Sequence, residues 1–243
     1  MEKELMMKLL DELDLENTLA VYLTGSHLNN LNTPESDYDF IVVEKTERRN
    51  LFNGKFRPAV KVGDEFDYKV YSLQYFLGRL VSPSFNEVEM LNKFPLYHTH
   101  EFTEMAEFLY DKRNWLLNKQ AFLEALSGEL TQIYNKVTNK SGKVNMDKLK
   151  LGKDLAKYQK LKTQALYLLE NNELYVEFNE KEREKVVNLR VKKNHEITEE
   201  ELDEVRNDNF VEELYELATN MEPSVVDVGF AKILAKMMLS YLR

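Results

Sequence analysis

Gly25 and Ser26 close a strand-like run, and Asp37 and Asp39 follow after ten intervening residues in the segment VYLTGSHLNNLNTPESDYDFIVV. On a strand, residues i and i+2 project from the same face, so Asp37 and Asp39 present two carboxylates side by side while Tyr38 and Phe40 point into the core. Adjacent carboxylates repel unless a cation lies between them. Mg²⁺ (or Mn²⁺) suits the position, because such hard cations take oxygen ligands and are commonly held by one or two carboxylates together with substrate phosphates. Gly25 and Ser26 supply the complementary half. Glycine lets the backbone come close to a ligand, the amides of a turn leaving a strand can point at phosphate oxygens, and the serine hydroxyl adds a donor. Taken singly, the first pair reads as a plain turn and the second as a solvated strand edge. Together, at this spacing, they point to metal–phosphate chemistry.

A third carboxylate is expected at Asp67. In GDEFDYKVYSL, strand alternation sets Asp67, Lys69 and Tyr71 on one face and Phe66, Tyr68 and Val70 on the other. Asp64 is the competing choice, but it follows Gly63 in a turn, where aspartate commonly serves turn geometry. Nine lysines (136, 140, 143, 148, 150, 153, 157, 160 and 162) stand against only Asp147 and Asp154 between residues 136 and 162. On a helical wheel Leu151, Leu155, Tyr158, Ala165 and Leu169 form the buried stripe, with Lys153, Lys157 and Lys160 opposite. A solvated face is the plain reading of those three, and a track for an RNA backbone is the alternative. Lys162 falls inside the apolar stripe, where a lysine must snorkel, pair or face a cleft. Lys162 is therefore the lysine expected to contact the triphosphate or the acceptor, and Lys157 and Lys160 join it as candidate nucleotide-binding residues. His27 and Ser36, at the two ends of the segment between the turn and the carboxylates, join Gly25 and Ser26 on that side of the site, although a helix start explains His27 equally well. His98 and His100 have no third ligand nearby in sequence and read as ordinary surface or core histidines.

The elements that must position these groups fall into two halves. Strand-like runs cover Leu19–Leu23, Asp37–Val43 and Glu65–Tyr71, separated by turn-forming Asn29, Asn30, Asn32 and Pro34 and then by Asn53, Gly54, Pro58 and Gly63. An amphipathic helix leads them. After Ser72 the periodicity is helical, over Leu73–Leu80 and then from about Phe85, where Ser84 and Glu87 form a capping-box signature. Further helices are predicted over Glu101–Tyr110, Lys119–Asn139, Met146–Glu170, Glu180–Lys193, Glu199–Thr219 and Val225–Leu242. The expected fold is α+β, a small mixed sheet with flanking helices over residues 1–111 followed by a C-terminal helical domain over 112–243. The 243 residues are enough to bury a core, and 43% hydrophobic with 31% charged residues is the balance of an ordinary globular protein. The absence of cysteine removes thiolate metal sites, cysteine nucleophiles and disulfides. A net charge of −9 argues against a protein that coats nucleic acid. The acid-bearing N-terminus does not read as a signal peptide, and no run reaches the roughly 20 apolar residues of a membrane span, so a cytoplasmic location with no membrane partner is expected.

Glycine–serine, ten residues, then aspartate-x-aspartate resembles the signature of the DNA polymerase β superfamily of nucleotidyltransferases. TGSHLNNLNTPESDYDF is similar to that superfamily's bacterial and phage branch. DYKVYSLQYFLGRLVSPSFNEVEML and GKDLAKYQKLKTQALYLLENNELYVEF are similar to the branch's next two blocks, so the resemblance covers most of residues 20–180. It departs at Asn30, where many relatives have a second glycine; asparagine also tolerates the left-handed conformation, so the turn can survive. It departs again where relatives carry histidine and arginine and this chain has lysines and Thr163. The resemblance selects Asp67 over Asp64. It implies a transferase that moves a nucleoside monophosphate from a nucleoside triphosphate to a hydroxyl acceptor (RNA or tRNA, a small molecule or a protein) and releases pyrophosphate. Two ions are implied, the first held by Asp37 and Asp39, the second bridged to Asp67, which is also the candidate base. The competing readings are an antitoxin-like or regulatory nucleotide-binding interaction protein and, less favoured by the charge, a nucleic-acid-binding protein.

Overall fold

A computed structural model describes residues 3–46, 58–63, 65–81, 85–138, 150–174, 177–221, 228–239 and 241. The chain opens with α1 (Lys3–Glu12), β1 (Thr18–Thr24), the one-turn α2 (Gly25–Leu28), β2 (Tyr38–Glu44), β3 (Ala59–Val62) and β4 (Phe66–Ser72). There follow α3 (Leu73–Val81), α4 (Phe85–Met90), the short β5 (Tyr97–His98), α5 (Thr103–Asp111) and α6 (Arg113–Leu116). The remainder is helical: α7 (Lys119–Thr138), α8 (Leu151–Asn171), α9 (Glu180–Val191), α10 (Glu199–Arg206), α11 (Phe210–Asn220) and α12 (Val228–Leu239).

The sheet runs β3-β4-β2-β1-β5 and is mixed, with β2 and β4 parallel and the other neighbours antiparallel. The expected α+β class is therefore the observed one, with two strands more than periodicity gave. β3 is exposed at all four positions and β5 is two residues long, so neither carries an alternating apolar pattern to read. β1 behaves differently again, being buried from Thr18 to Tyr22 because both its faces are covered.

The two sheet faces bury different clusters. Val21, Phe40, Val42, Phe66 and Tyr68 close with Leu9 of α1 on one side. Ile41, Val43, Tyr71, Tyr22 and Phe76 belong to the other, and that cluster continues through Phe122, Leu126, Tyr158, Leu161, Leu189 and Leu214 to Leu234. One apolar core thus runs from the sheet into the helices that follow residue 112. It brings α8 and α9 onto the sheet face that carries the acidic strand residues.

The helix expected over Glu199–Thr219 is two, broken at Asn207–Asn209. Asp208 causes the break. Its carboxylate accepts from the Phe210 amide (3.1 Å), from the Tyr158 hydroxyl (2.9 Å) and from Lys162 (2.5 Å), which fixes the junction against α8. The glycine of α8 has a related packing role. A Cβ at Gly152 would stand 2.5 Å from the carbonyl oxygens of Leu189 and Lys192, so α8 and α9 can approach this closely only at a residue without a side chain. Ser84, Asp64 and Lys140, Lys143 and Lys148 lie outside the described residues.

Candidate active site

The strands meet so that Asp39 of β2 is the register partner of Asp67 of β4, and in a parallel pair both side chains then leave on one face. Asp37 sits one residue before β2 and is exposed; Asp39 and Asp67 are half-buried. Phe40 and Tyr38 pack with the opposite cluster, as the alternation required. Asp67 also accepts a hydrogen bond from the Gly63 amide at 3.2 Å. The electrostatics register the crowding. Burial pushes the Asp39 carboxyl above its ordinary range, the negative charges of Asp67 and Asp37 push the same way, and Lys69 and Arg190 partly offset them.

The turn after β1 is shaped around that carboxylate. Gly25 has φ +69°, and a Cβ on it would fall onto the Asp39 carboxyl, so glycine is needed both for the backbone and for the space. Asn30 takes the left-handed conformation at φ 57°, which answers the missing second glycine. Asn29 is fully buried and its Nδ2 donates to the Gly25 carbonyl at 3.2 Å, tying the start of the turn to its end.

Gly25, Ser26 and Asn29 form one wall of a cavity of about 300 Å³ whose other wall is α8 and α9, with Lys153, Lys157, Lys160 and Arg190. Lys157 pairs with Glu129 (2.8 Å) and Lys160 with the buried Glu89 (3.1 Å). The face expected to be solvated is exposed at Lys153 and Lys157, while Lys160 is drawn in against Glu89. Lys162 is not at this cavity. It pairs with Asp208 and lies 5.1 Å above the Phe210 ring, so of the choices open to a lysine in an apolar stripe it takes pairing. His27 stacks on Tyr38 at 3.7 Å with its Nε2 3.0 Å from the Ser36 carbonyl, and Ser36 Oγ accepts from the Thr33 amide at 2.9 Å. Both residues brace the loop between the turn and the carboxylates. A wider groove of about 710 Å³, between α1 and β3–β4, lies on the other sheet face and is not lined by Asp37, Asp39 or Asp67.

Two arginines of α9 escaped sequence reasoning. Arg183 donates to the carbonyls of Asn30 (2.8 Å) and Asn32 (3.5 Å), and Arg190 donates to that of Leu31 (3.2 Å). They fasten the loop that leads to Asp37 and Asp39, and Arg190 also sets a positive charge within reach of Asp39. Their spacing of seven, two helical turns on one face, is the signal that was there to be found.

Among the described residues no three His, Cys, Asp or Glu side chains stand close enough to enclose an ion. The donor set nonetheless fits a hard divalent cation. Two half-buried carboxylates share one sheet face, burial and then the neighbouring Asp67 charge raise Asp39, and phosphate oxygens and water commonly complete such a shell.

Residues 6–120 match the model of the nucleotidyltransferase domain family. Over these residues, just under half of its length, the chain is similar to nucleotidyltransferase domains. A solved structure described as a nucleotidyltransferase-like protein from Exiguobacterium sibiricum 255-15 aligns over 92% of this chain and 69% of its own, at 10% identity and a TM-score of 0.31. No curated protein matches the chain. No helix among the described residues is long and apolar enough to cross a membrane.

Proposed function

We propose that the protein transfers a nucleoside monophosphate from a nucleoside triphosphate to a hydroxyl acceptor in a metal-dependent reaction that releases pyrophosphate. The observation that carries this reading is the juxtaposition of Asp39 and Asp67 on parallel strands, against a glycine–serine turn and a cavity walled by cations.

Asp37, Asp39 and Asp67 are the residues that would hold Mg²⁺ or Mn²⁺. When bound, such ions neutralise phosphate charge and make a hydroxyl a better nucleophile at neutral pH. The turn amides at Gly25 and Ser26 receive the outer phosphates, and Lys153, Lys157, Lys160 and Arg190 face them across the cavity. The acceptor oxygen forms a bond to the α-phosphorus, the bond to the bridging oxygen breaks, and pyrophosphate leaves with its charge balanced by that cationic wall. Asp67 would take the hydroxyl proton. Catalysis of this kind is mainly positioning and charge neutralisation, and this chain supplies both from rigid strands and packed helices.

The test is incubation of the full chain with each α-labelled nucleoside triphosphate and Mg²⁺ or Mn²⁺, with tRNA, aminoglycosides and cell lysate as acceptor sources. Label transfer that disappears in Asp39→Asn is the expected result. Neither transfer nor nucleotide binding under any metal refutes the reading. Binding without transfer by the wild-type chain supports a regulatory nucleotide-binding protein instead.

A further inference from the structure

Glu89 is a charged residue held at 1% exposure in α4, a helix that belongs to the nucleotidyltransferase half. Both of its acceptor oxygens point across to α8 in the helical half, where the Lys160 ammonium lies 3.1 and 3.2 Å from them and the fully buried Gln164 amide donates at 2.5 Å. A carboxylate buried this deeply is costly unless it is paired and hydrogen-bonded, and a well-packed apolar residue would commonly serve packing as well or better. The pair also has an unusual place. Lys160 lies between Glu89 on one side and the cavity of Gly25 and Ser26 on the other.

We infer that Glu89 is a positioning residue for phosphate binding: it anchors the Lys160 ammonium at the back of the cavity so that the cation is fixed where the triphosphate arrives. A lysine carries a long stem with several rotatable bonds, and ordering it only on binding costs affinity. Glu89 removes that cost by ordering the side chain beforehand, and Gln164 orders Glu89 in turn. The junction does so across the boundary between the two halves, which sets the cationic wall of α8 against the glycine–serine turn. This inference rests on the proposed nucleotide site and adds to it a residue that does not itself touch phosphate.

The test is a double-mutant cycle on affinity for ATP–Mg²⁺ and, separately, for inorganic triphosphate, measured by calorimetry on the full chain as wild type, Glu89→Gln, Lys160→Met and the double variant. Glu89→Gln keeps shape and size and removes the charge. It should weaken both ligands about tenfold, Lys160→Met should weaken them at least as much, and the double variant should bind no more weakly than Lys160→Met alone. A merely structural role gives another pattern: a lowered melting temperature with unchanged affinity, or a loss that persists undiminished when Lys160 is already methionine. Either outcome overturns the inference. If Glu89→Gln does not fold, Glu89→Asp carries the test; it retains the charge and should bind less than tenfold more weakly than wild type, and a larger loss that remains in the Lys160→Met background overturns the inference. Wild-type binding with an unaffected Lys160→Met sinks this inference alone, whereas a wild type that binds neither ligand sinks the nucleotidyltransferase reading and this inference with it.

Discussion

Asp39 is held in an electrostatically unfavourable place before any ligand arrives. Its carboxyl is raised by burial and by the charges of Asp67 and Asp37. For an acid raised in the folded state, the associated stability is complete below the unfolded value near 4 and is lost as pH rises through the higher folded value. In metal-free buffer at pH 7–8, Asp39→Asn should therefore melt at a higher temperature than wild type, and the difference should vanish below about pH 4. The same variant should lose label transfer. Mg²⁺ should raise the melting temperature of wild type and leave the variant's unchanged; calorimetric melts with and without the ion decide it. Gly25 makes the opposite trade. Gly25→Ala adds a Cβ where the Asp39 carboxyl lies and strains a positive φ, so a loss of ~1–3 kcal/mol in denaturant unfolding, together with lost transfer, is expected.

At the scale of elements, α8 and α9 act together. Gly152 lets them pack in contact, and α9 carries the arginines that fasten loop 30–32. Gly152→Ala should part the helices, cost ~1–3 kcal/mol of stability, and raise the KM for nucleoside triphosphate through displaced Arg190. The Asp208 junction gives the contrasting case. Asp208→Ala leaves the Tyr158 hydroxyl and Lys162 without that acceptor and removes the cap on the Phe210 amide. Urea unfolding should register a loss of ~1–3 kcal/mol. Nucleotide affinity should not change, because this cluster lies apart from the cavity; a Kd shifted as strongly as in Lys160→Met would restore Lys162 to the site.

At the scale of the whole molecule, the region that matches the nucleotidyltransferase family model, residues 6–120, shares its core with helices beyond it. The cavity draws one wall from each half. A chain ending at residue 120 removes nearly all of α7 and everything after it, exposing Tyr22, Phe76 and Phe102 on that side. It should lack a cooperative thermal transition and bind no nucleotide. A truncated chain that melted cooperatively and bound ATP–Mg²⁺ would show that the halves fold and bind separately.

The local rules of the backbone made much of this readable from sequence. Alternation fixed which faces of β2 and β4 carry Asp39 and Asp67, because it depends on neighbours one or two residues away, and the resemblance pointed to the left-handed backbone at Asn30. The lysine wheel found the buried stripe of α8 but not its surroundings. A helical wheel separates buried from polar, whereas whether a polar face meets water, a partner acid or a cavity depends on what packs there. That is why Lys160 lies between Glu89 and the cavity while Lys162, two residues on, is claimed by Asp208. Arg183 and Arg190 reach the loop before Asp37 and Asp39 across about 150 residues of chain, a distance only the shared core closes. Sequence determined the types and local geometry of the candidate site residues; tertiary packing decided which cations stand opposite them.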